Sequence, residues 1–319
     1  YLCFSKLRTL LRFWRVGIRI PRTVYVPCDG HDHVSGGLQT LDNKEDIADL
    51  IRGSIEDGPI VLKPDAGTHG RKVMLAKNQN ELASLVGDTE PSILNPVGIL
   101  AQEFVQKWFF DLRIIVAKKC SGSPYCYPTA LARAGFKDFR TNTYLGNMVF
   151  GVRLPSHILE IAVQCGQAIG CDSQTWVLAL DAMLNASKDK LVDDASVKAE
   201  LDKLTESFGA VNKTKRRQER IMDFVAWNRL LEAAYHDYMS NDAYENVKSI
   251  IEESIKRSNR SILFHEANAC PEFWEQTRLI AGINVAEPLL ECAESAMDHP
   301  NELDHVQPIE VCDLRTSRS

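Results

Sequence analysis

The chain has 319 residues, 45% hydrophobic and 25% charged, enough to bury a core in one or two domains and ordinary for a globular protein. Its net charge of −6 argues against bulk nucleic-acid binding, and no stretch approaches the roughly 20 apolar residues of a membrane span. Nine scattered cysteines without a CxxC pair read as reduced thiols, which points to the cytoplasm or an organelle matrix, the mitochondrial one included, and away from secretion.

Residues 1–27 carry Lys6, Arg8, Arg12, Arg15, Arg19 and Arg22 and no acid, a composition shared with transit peptides. Phe4, Leu7, Leu11 and Trp14 fall at helical spacing, which favours a docked helix over 1–16 that stops near Gly17. The chain opens on Tyr1 rather than Met, so a leader or a further domain is expected ahead of it. Residues 19–26 read as an entry strand, 28–37 as a loop, 41–51 as a helix, 60–63 and 73–76 as strands and 80–86 as a helix. Strands are expected at 99–105, 112–117 and 130–134, with an irregular turn at 107–111. Residues 156–169 are helical, with Ile158, Ile161, Ala162 and Cys165 on one face, and 177–183 and 262–266 complete the strands. Between these last two, residues 186–260 are charged and helix-forming, with stripes at Ile221, Phe224, Val225, Leu231 and Tyr235 and at Val247, Ile250, Ile251 and Ile255. The whole is mixed α and β with a helical insertion.

Four groups of residues suit chemistry. Lys63 ends an apolar strand and opens onto Gly67-Thr68-His69-Gly70, a cation and a small-residue loop that suit phosphate; a surface turn with an exposed lysine is the plainer alternative. The loop is neither a Walker A nor a Rossmann fingerprint. Gln102-Glu103 at a strand end suit a nucleoside, while Asp111 and Arg113 share a strand face that serves either an anion or a simple ion pair. Arg133, Arg140 and Asn142 suit anion recognition or an ordinary surface. Asp181 ends one apolar strand, and Glu266 and Asn268, one residue apart, share a face of another. Two carboxylates and an amide oxygen match the few protein ligands that Mg²⁺ takes when phosphates complete its shell, and charged groups inside apolar strands are costly unless paired. His31 and His33 in a polar loop, and the basic run Lys213–Arg217, carry weaker signals.

In this order the motifs resemble the RimK-like branch of the ATP-grasp superfamily, the carboxylate–amine ligases that include ribosomal-protein glutamate ligases. Ser5-Lys6 and Gly17-Ile-Arg-Ile-Pro-Arg-Thr23 resemble its opening lysine helix and strand, Gln102-Glu103-Phe104-Val105 its adenosine-gripping hinge, and Asp138-Phe-Arg140-Thr-Asn142 its "DFRSN" block. The resemblance implies an α+β ATP-grasp fold, two lobes gripping ATP. It implies Lys6, Lys63, Gly67, Thr68, Gly70, Gln102, Glu103, Phe104, Val105, Asp111, Arg113 and Asn142 at the nucleotide, Asp181, Glu266 and Asn268 on Mg²⁺ (or Mn²⁺), and Arg133 and Arg140 as catalytic groups. The lobes expected are 28–105 and 106–295, the latter carrying the insertion 186–260, with 1–27 leading in and 296–319 as a tail.

The implied activity is ATP-dependent ligation through an acyl phosphate, adding glutamate or another amino acid to a protein or small-molecule carboxylate. The alternative is a catalytically silent scaffold in a larger assembly such as a ribonucleoprotein, contacted through the insertion; no membrane role is expected. The chain departs from the family pattern at Lys72, where a third loop glycine is usual, at Gly146-Asn147 for a glycine pair, and at Glu272 for the glycine after Pro271. The segment before Asp181 is also longer than the pattern.

Overall fold

The computed structural model describes residues 3, 5–27, 44–55, 58–66, 72–88, 98–120, 122–141, 146–170, 175–185, 190–217, 223–258, 262–272 and 274–298. The 28–37 loop with His31 and His33, the Gly67, Thr68 and Gly70 of the glycine loop, Asn142, Ile221 and most of the expected tail lie outside these residues.

Two antiparallel sheets organise the molecule. The smaller has the order β1-β4-β2-β3, formed by β1 (Thr23–Pro27), β2 (Ile60–Pro64), β3 (Met74–Ala76) and β4 (Gly98–Glu103). The helices α2 (Lys44–Ser54) and α3 (Gln79–Asp88) cover it, and Ala48, Ile51, Leu82 and Val86 meet Ile60, Leu62 and Ala101 in a core of their own. The entry strand is therefore an integral part of this lobe.

The larger sheet runs β10-β9-β5-β7-β8. Its strands are β5 (Phe110–Lys118), β7 (Thr129–Ala134), β8 (Met148–Arg153), β9 (Trp176–Leu184) and β10 (Ile262–Asn268), with the short β6 (Tyr125–Cys126) pairing β5. Side chains alternate between faces along each strand. Leu112, Ile114, Val116, Ala132, Phe150, Leu180 and Phe264 face the main core, packed by α4 (Ser156–Gly170) and by Phe13 of α1 (Lys6–Arg15). On the opposite face Ile115, Leu131, Val149 and Ala179 meet Ala281, Ile283 and Val285.

The insertion folds as α5 (Asp194–Lys203), α6 (Thr205–Arg217), α7 (Phe224–Met239) and α8 (Asp242–Arg257). It covers the sheet edge at β8. The Tyr238 hydroxyl donates to the Val149 carbonyl at 3.1 Å, Gly151 N–H donates to the Tyr244 hydroxyl at 2.9 Å, and Arg153 N–H donates to Glu252 at 2.8 Å. Three backbone groups of an edge strand, otherwise open to pairing with another chain, are thus satisfied by side chains.

Three expectations change. The buried face of α1 is Lys6, Thr9, Leu10 and Phe13, while Leu11 and Trp14 are exposed, because Lys6 is drawn inward by the acidic site described below. On α7 the buried stripe is Trp227, Leu231, Tyr235 and Tyr238, one step round the helix from Phe224 and Val225, which stay exposed. Strand β8 was not expected: its sequence MVFGVR has apolar residues on both faces and a glycine, so no period-2 signal marks it.

The glycine answers to packing. A Cβ at Gly151 would stand 2.4 Å from the Ile280 carbonyl oxygen, a backbone atom that cannot swing aside. Gly151→Ala is expected to destabilise the fold by about 1–3 kcal/mol, the usual cost of overpacking, read as a lower urea midpoint with unchanged slope.

Candidate nucleotide and metal site

The polar end of the larger sheet's second face gathers most of the sequence-derived candidates. Register places Asp111 opposite Arg133, Arg113 opposite Asp181, and Asp181 opposite Glu266, so all five point the same way with Asn268. This polar group continues the face on which Ile115 and Ala179 are apolar.

Asp111, Arg133, Asp181 and Arg113 form a ladder of alternating charge. Arg133 donates to both oxygens of Asp111 at 2.7 and 2.9 Å and reaches Asp181 at 3.2 Å. Arg113 grips Asp181 with two bonds of 2.8 and 2.9 Å. Lys107 Nζ extends the ladder, 3.5 Å from Asp111 and donating to Thr141 Oγ1 at 2.7 Å, and Thr141 in turn donates to Asp111. Burial alone would raise both aspartate pKa values; the arginines and Lys107 outweigh it, bringing Asp111 down to about 2 and Asp181 well below the usual carboxylate range.

This arrangement revises three expectations. Both oxygens of Asp181 are engaged by guanidinium groups, so it is a counter-ion to Arg113 and Arg133 and an open metal ligand only through the lone pairs they leave. Arg133 is 4% exposed and gripped by two aspartates, which turns it inward. Asp111 answers to Arg133, Lys107 and Thr141. Arg140 stands apart: Asp138 holds it with bonds of 2.9 and 2.8 Å, and its guanidinium lies 5.6 Å from the Phe139 ring centre.

Two lysines from different elements converge on the acidic end. Lys6 of α1 lies 3.8 Å from Glu266 Oε1. Lys63 of β2 is buried; desolvation lowers its pKa, Glu266 opposes that shift and Lys6 reinforces it, leaving the value at about 8. Glu266 keeps a quarter of its side chain exposed, which leaves it reachable by a ligand. The Asn268 amide nitrogen is buried and without a hydrogen-bond partner. Glu266 and Asn268 with the shared oxygens of Asp181 are hard oxygen donors on one face, the donor type Mg²⁺ takes beside phosphates, so the residues fit that ion. Among the described residues no cluster of three His, Cys, Asp or Glu side chains of metal-site geometry occurs. The neighbouring His265 sits at the β10 bulge, where desolvation and then Lys63 lower its pKa to about 3, so it is neutral near pH 7.

The expected hinge begins as β4 ends. Gln102 is buried and donates to Thr23 Oγ1 at 2.8 Å, Glu103 accepts from Arg22 N–H at 3.0 Å, and Phe104 meets Phe139 edge to face at 6.3 Å. Val105 is buried, and its carbonyl accepts from Lys107 N–H at 2.7 Å.

A family profile for the RimK-like ATP-grasp domain matches residues 38–215, more than half of the chain. The chain belongs to the RimK-like ATP-grasp family. Among curated relatives it is 31% identical over 129 residues to the coenzyme gamma-F420-2:alpha-L-glutamate ligase of Methanocaldococcus jannaschii, covering 39% of each chain. It is 30% identical over 139 residues to the alpha-aminoadipate–LysW ligase LysX of Saccharolobus solfataricus, covering 43% of this chain and 47% of that one. A probable alpha-L-glutamate ligase of Maridesulfovibrio salexigens is 28% identical over 167 residues, covering 52% and 48%. The chain thus spans about half or less of the length of these three relatives. Among solved structures, the D-alanine-D-alanine ligase from Coxiella burnetii superposes with a TM-score of 0.48 at 8% identity, over 95% of this chain and 60% of that one.

Within this RimK-like fold the departures acquire physical content. Lys72 stands at φ +56°, in the left-handed region that glycine adopts freely and other residues enter at a cost. Glu272 accepts from the N–H groups of Glu275 and Thr277, so its carboxylate caps the start of α9 (Gln276–Leu279). Sequence reasoning missed Ser5, Asp65, Lys107 and Thr141. The i,i+4 spacing of Lys107 and Asp111 was the one available signal; Ser5 and Asp65 meet only through the fold.

Two outcomes follow. Lys72→Gly is expected to raise stability by up to about 1 kcal/mol in chemical denaturation. Asp111 has a folded-state pKa below its ordinary 3.8, so its stabilisation is complete above about pH 4 and is lost as pH falls towards 2. Urea midpoints taken across that window should drop for the wild type and flatten for Asp111→Asn, which begins lower.

Proposed function

We propose that this RimK-like chain binds MgATP between its two sheets and ligates a carboxylate to an amine, with an amino acid such as glutamate as one substrate and a protein or small-molecule carboxylate as the other. The single observation that carries this reading is the convergence of Lys6 and Lys63, from different elements, on the acidic end where Glu266 lies. Two buried cations beside a partly open carboxylate suit a polyphosphate with its divalent ion. The names of the relatives, glutamate ligase and LysX ligase among them, support the same chemical class.

In this reading Lys63 and Lys6 bind and orient the β- and γ-phosphates. The end of β4 holds the nucleoside, Gln102 and Glu103 being anchored by Thr23 and Arg22. Mg²⁺, held by Glu266 and Asn268 with a shared oxygen of Asp181, supplies charge neutralisation on the phosphates. The substrate carboxylate attacks the γ-phosphorus, ADP leaves, and the amine displaces phosphate from the acyl phosphate. In the same reading Arg140 and the outer edge of Arg113, a quarter exposed, stabilise charge on the carboxylate side. Arg133 and Asp111 act behind them by fixing Asp181. The lobe limits 28–105 and 106–295 are part of the proposal, with β1 added to the first lobe.

Isothermal titration calorimetry tests it. The intact chain should bind MgATP, with Lys63→Met and Glu266→Ala each weakening binding by more than about tenfold. Affinity should fall as pH rises through about 8, where Lys63 loses its charge. Release of ADP only when a carboxylate is supplied would support ligation; nucleotide binding without such turnover across a carboxylate and amine screen would favour the scaffold reading.

A further inference from the structure

One buried acid takes no part in the charge ladder. Asp65 follows the end of β2, two residues after Lys63, and is fully buried. Its carboxylate accepts from the Ser5 hydroxyl at 3.1 and 2.8 Å and from Leu7 N–H at 2.7 Å. Its backbone carbonyl accepts from Lys6 N–H at 3.2 Å and from Lys6 Nζ at 3.3 Å. Ser5 is the N-cap of α1, accepting from Arg8 N–H. The negative side chain therefore sits on the N-terminal turn of a ten-residue helix, where unpaired N–H groups and the helix dipole favour an anion.

The two partners belong to different lobes. β2 is a central strand of the small sheet, whereas α1 is seated on the large one: Phe13 lies 6.2 Å from Phe264 edge to face within the main core. Asp65 is thus a buried staple between lobes, placed between the two lysines that converge on the acidic site. An anion already fills the start of α1, so that turn is closed to phosphate.

We infer that Asp65 is a positioning residue for the nucleotide: by docking on the N-terminus of α1 it holds Lys6 and Lys63 in the mutual placement that MgATP requires. The inference rests on the MgATP reading above. It assigns Asp65 no contact with the ligand; its effect passes through the lysines.

The test is MgATP affinity by calorimetry on the full chain, with folding checked by circular dichroism. Asp65→Ala should bind about tenfold more weakly, the scale of one lost charge-assisted hydrogen bond. Asp65→Asn, which keeps an acceptor oxygen, should recover most of that loss, and Ser5→Ala should lose about threefold. A double-mutant cycle separates positioning from general support: Lys6→Met should cost much less in the Asp65→Ala background than in the wild type. If Asp65→Ala does not fold, Asp65→Asn and Ser5→Ala carry the cycle with Lys6→Met. Wild-type affinity in the folded variants, or full additivity with Lys6→Met, overturns the inference while leaving the MgATP reading intact. Failure of the wild type to bind MgATP overturns both, and is recognised before any variant is made.

Discussion

The pairing of Asp111, Arg133, Asp181 and Arg113 is the constraint around which the larger lobe is arranged. Four charges on the central strands of a sheet are tolerable only when each faces an opposite one, since desolvating a lone ion costs several kcal/mol. Antiparallel register meets this condition, setting an acid across from an arginine at two successive steps. A slip of one residue would send all four into the apolar core on the other face. The ladder therefore ties the register of β5, β7 and β9 to the position of Asp181, and through it to Glu266 across the next strand pair.

Around that fixed end the remaining groups arrive from separate directions. The helix α1 brings Lys6 because Phe13 roots it in the main core, and β2 brings Lys63 because Ile60 and Leu62 root it in the small one. For Lys63, burial works against the charge and Glu266 supports it, a competition close enough to bring its pKa down to about 8. Chemistry and fold are interdependent here: the sheet presents acids, the acids retain the lysines, and the lysines connect the lobes.

Much of this was legible in the sequence. The apolar runs 112–117 and 177–183, and the x-separated Glu266 and Asn268, marked three strands, the one-residue spacing put Glu266 and Asn268 on one face, and the motif order carried the family. Tertiary facts were less accessible. The α1 stripe of Leu7, Leu11 and Trp14 is regular in spacing, yet Leu11 and Trp14 are exposed, because the buried side is decided by where Lys6 is needed. Arginine partners were named without their acids: no spacing rule tells Arg133 that two aspartates on neighbouring strands will claim it. Strand β8 escaped because it is apolar on both faces, one side meeting the sheet's core and the other the segment 280–285.

The insertion joins α5 to α8 between two strands of the large sheet, yet its tyrosines act at the far edge. Three backbone groups of β8, Val149 O, Gly151 N–H and Arg153 N–H, are completed by Tyr238, Tyr244 and Glu252. Helices α7 and α8 are thus a lateral seal of the domain and cannot be trimmed as an appendage. A shortened chain would present β8 as a bare, largely apolar ribbon inviting edge-to-edge association between molecules. The added helices keep this edge from offering its backbone to another strand.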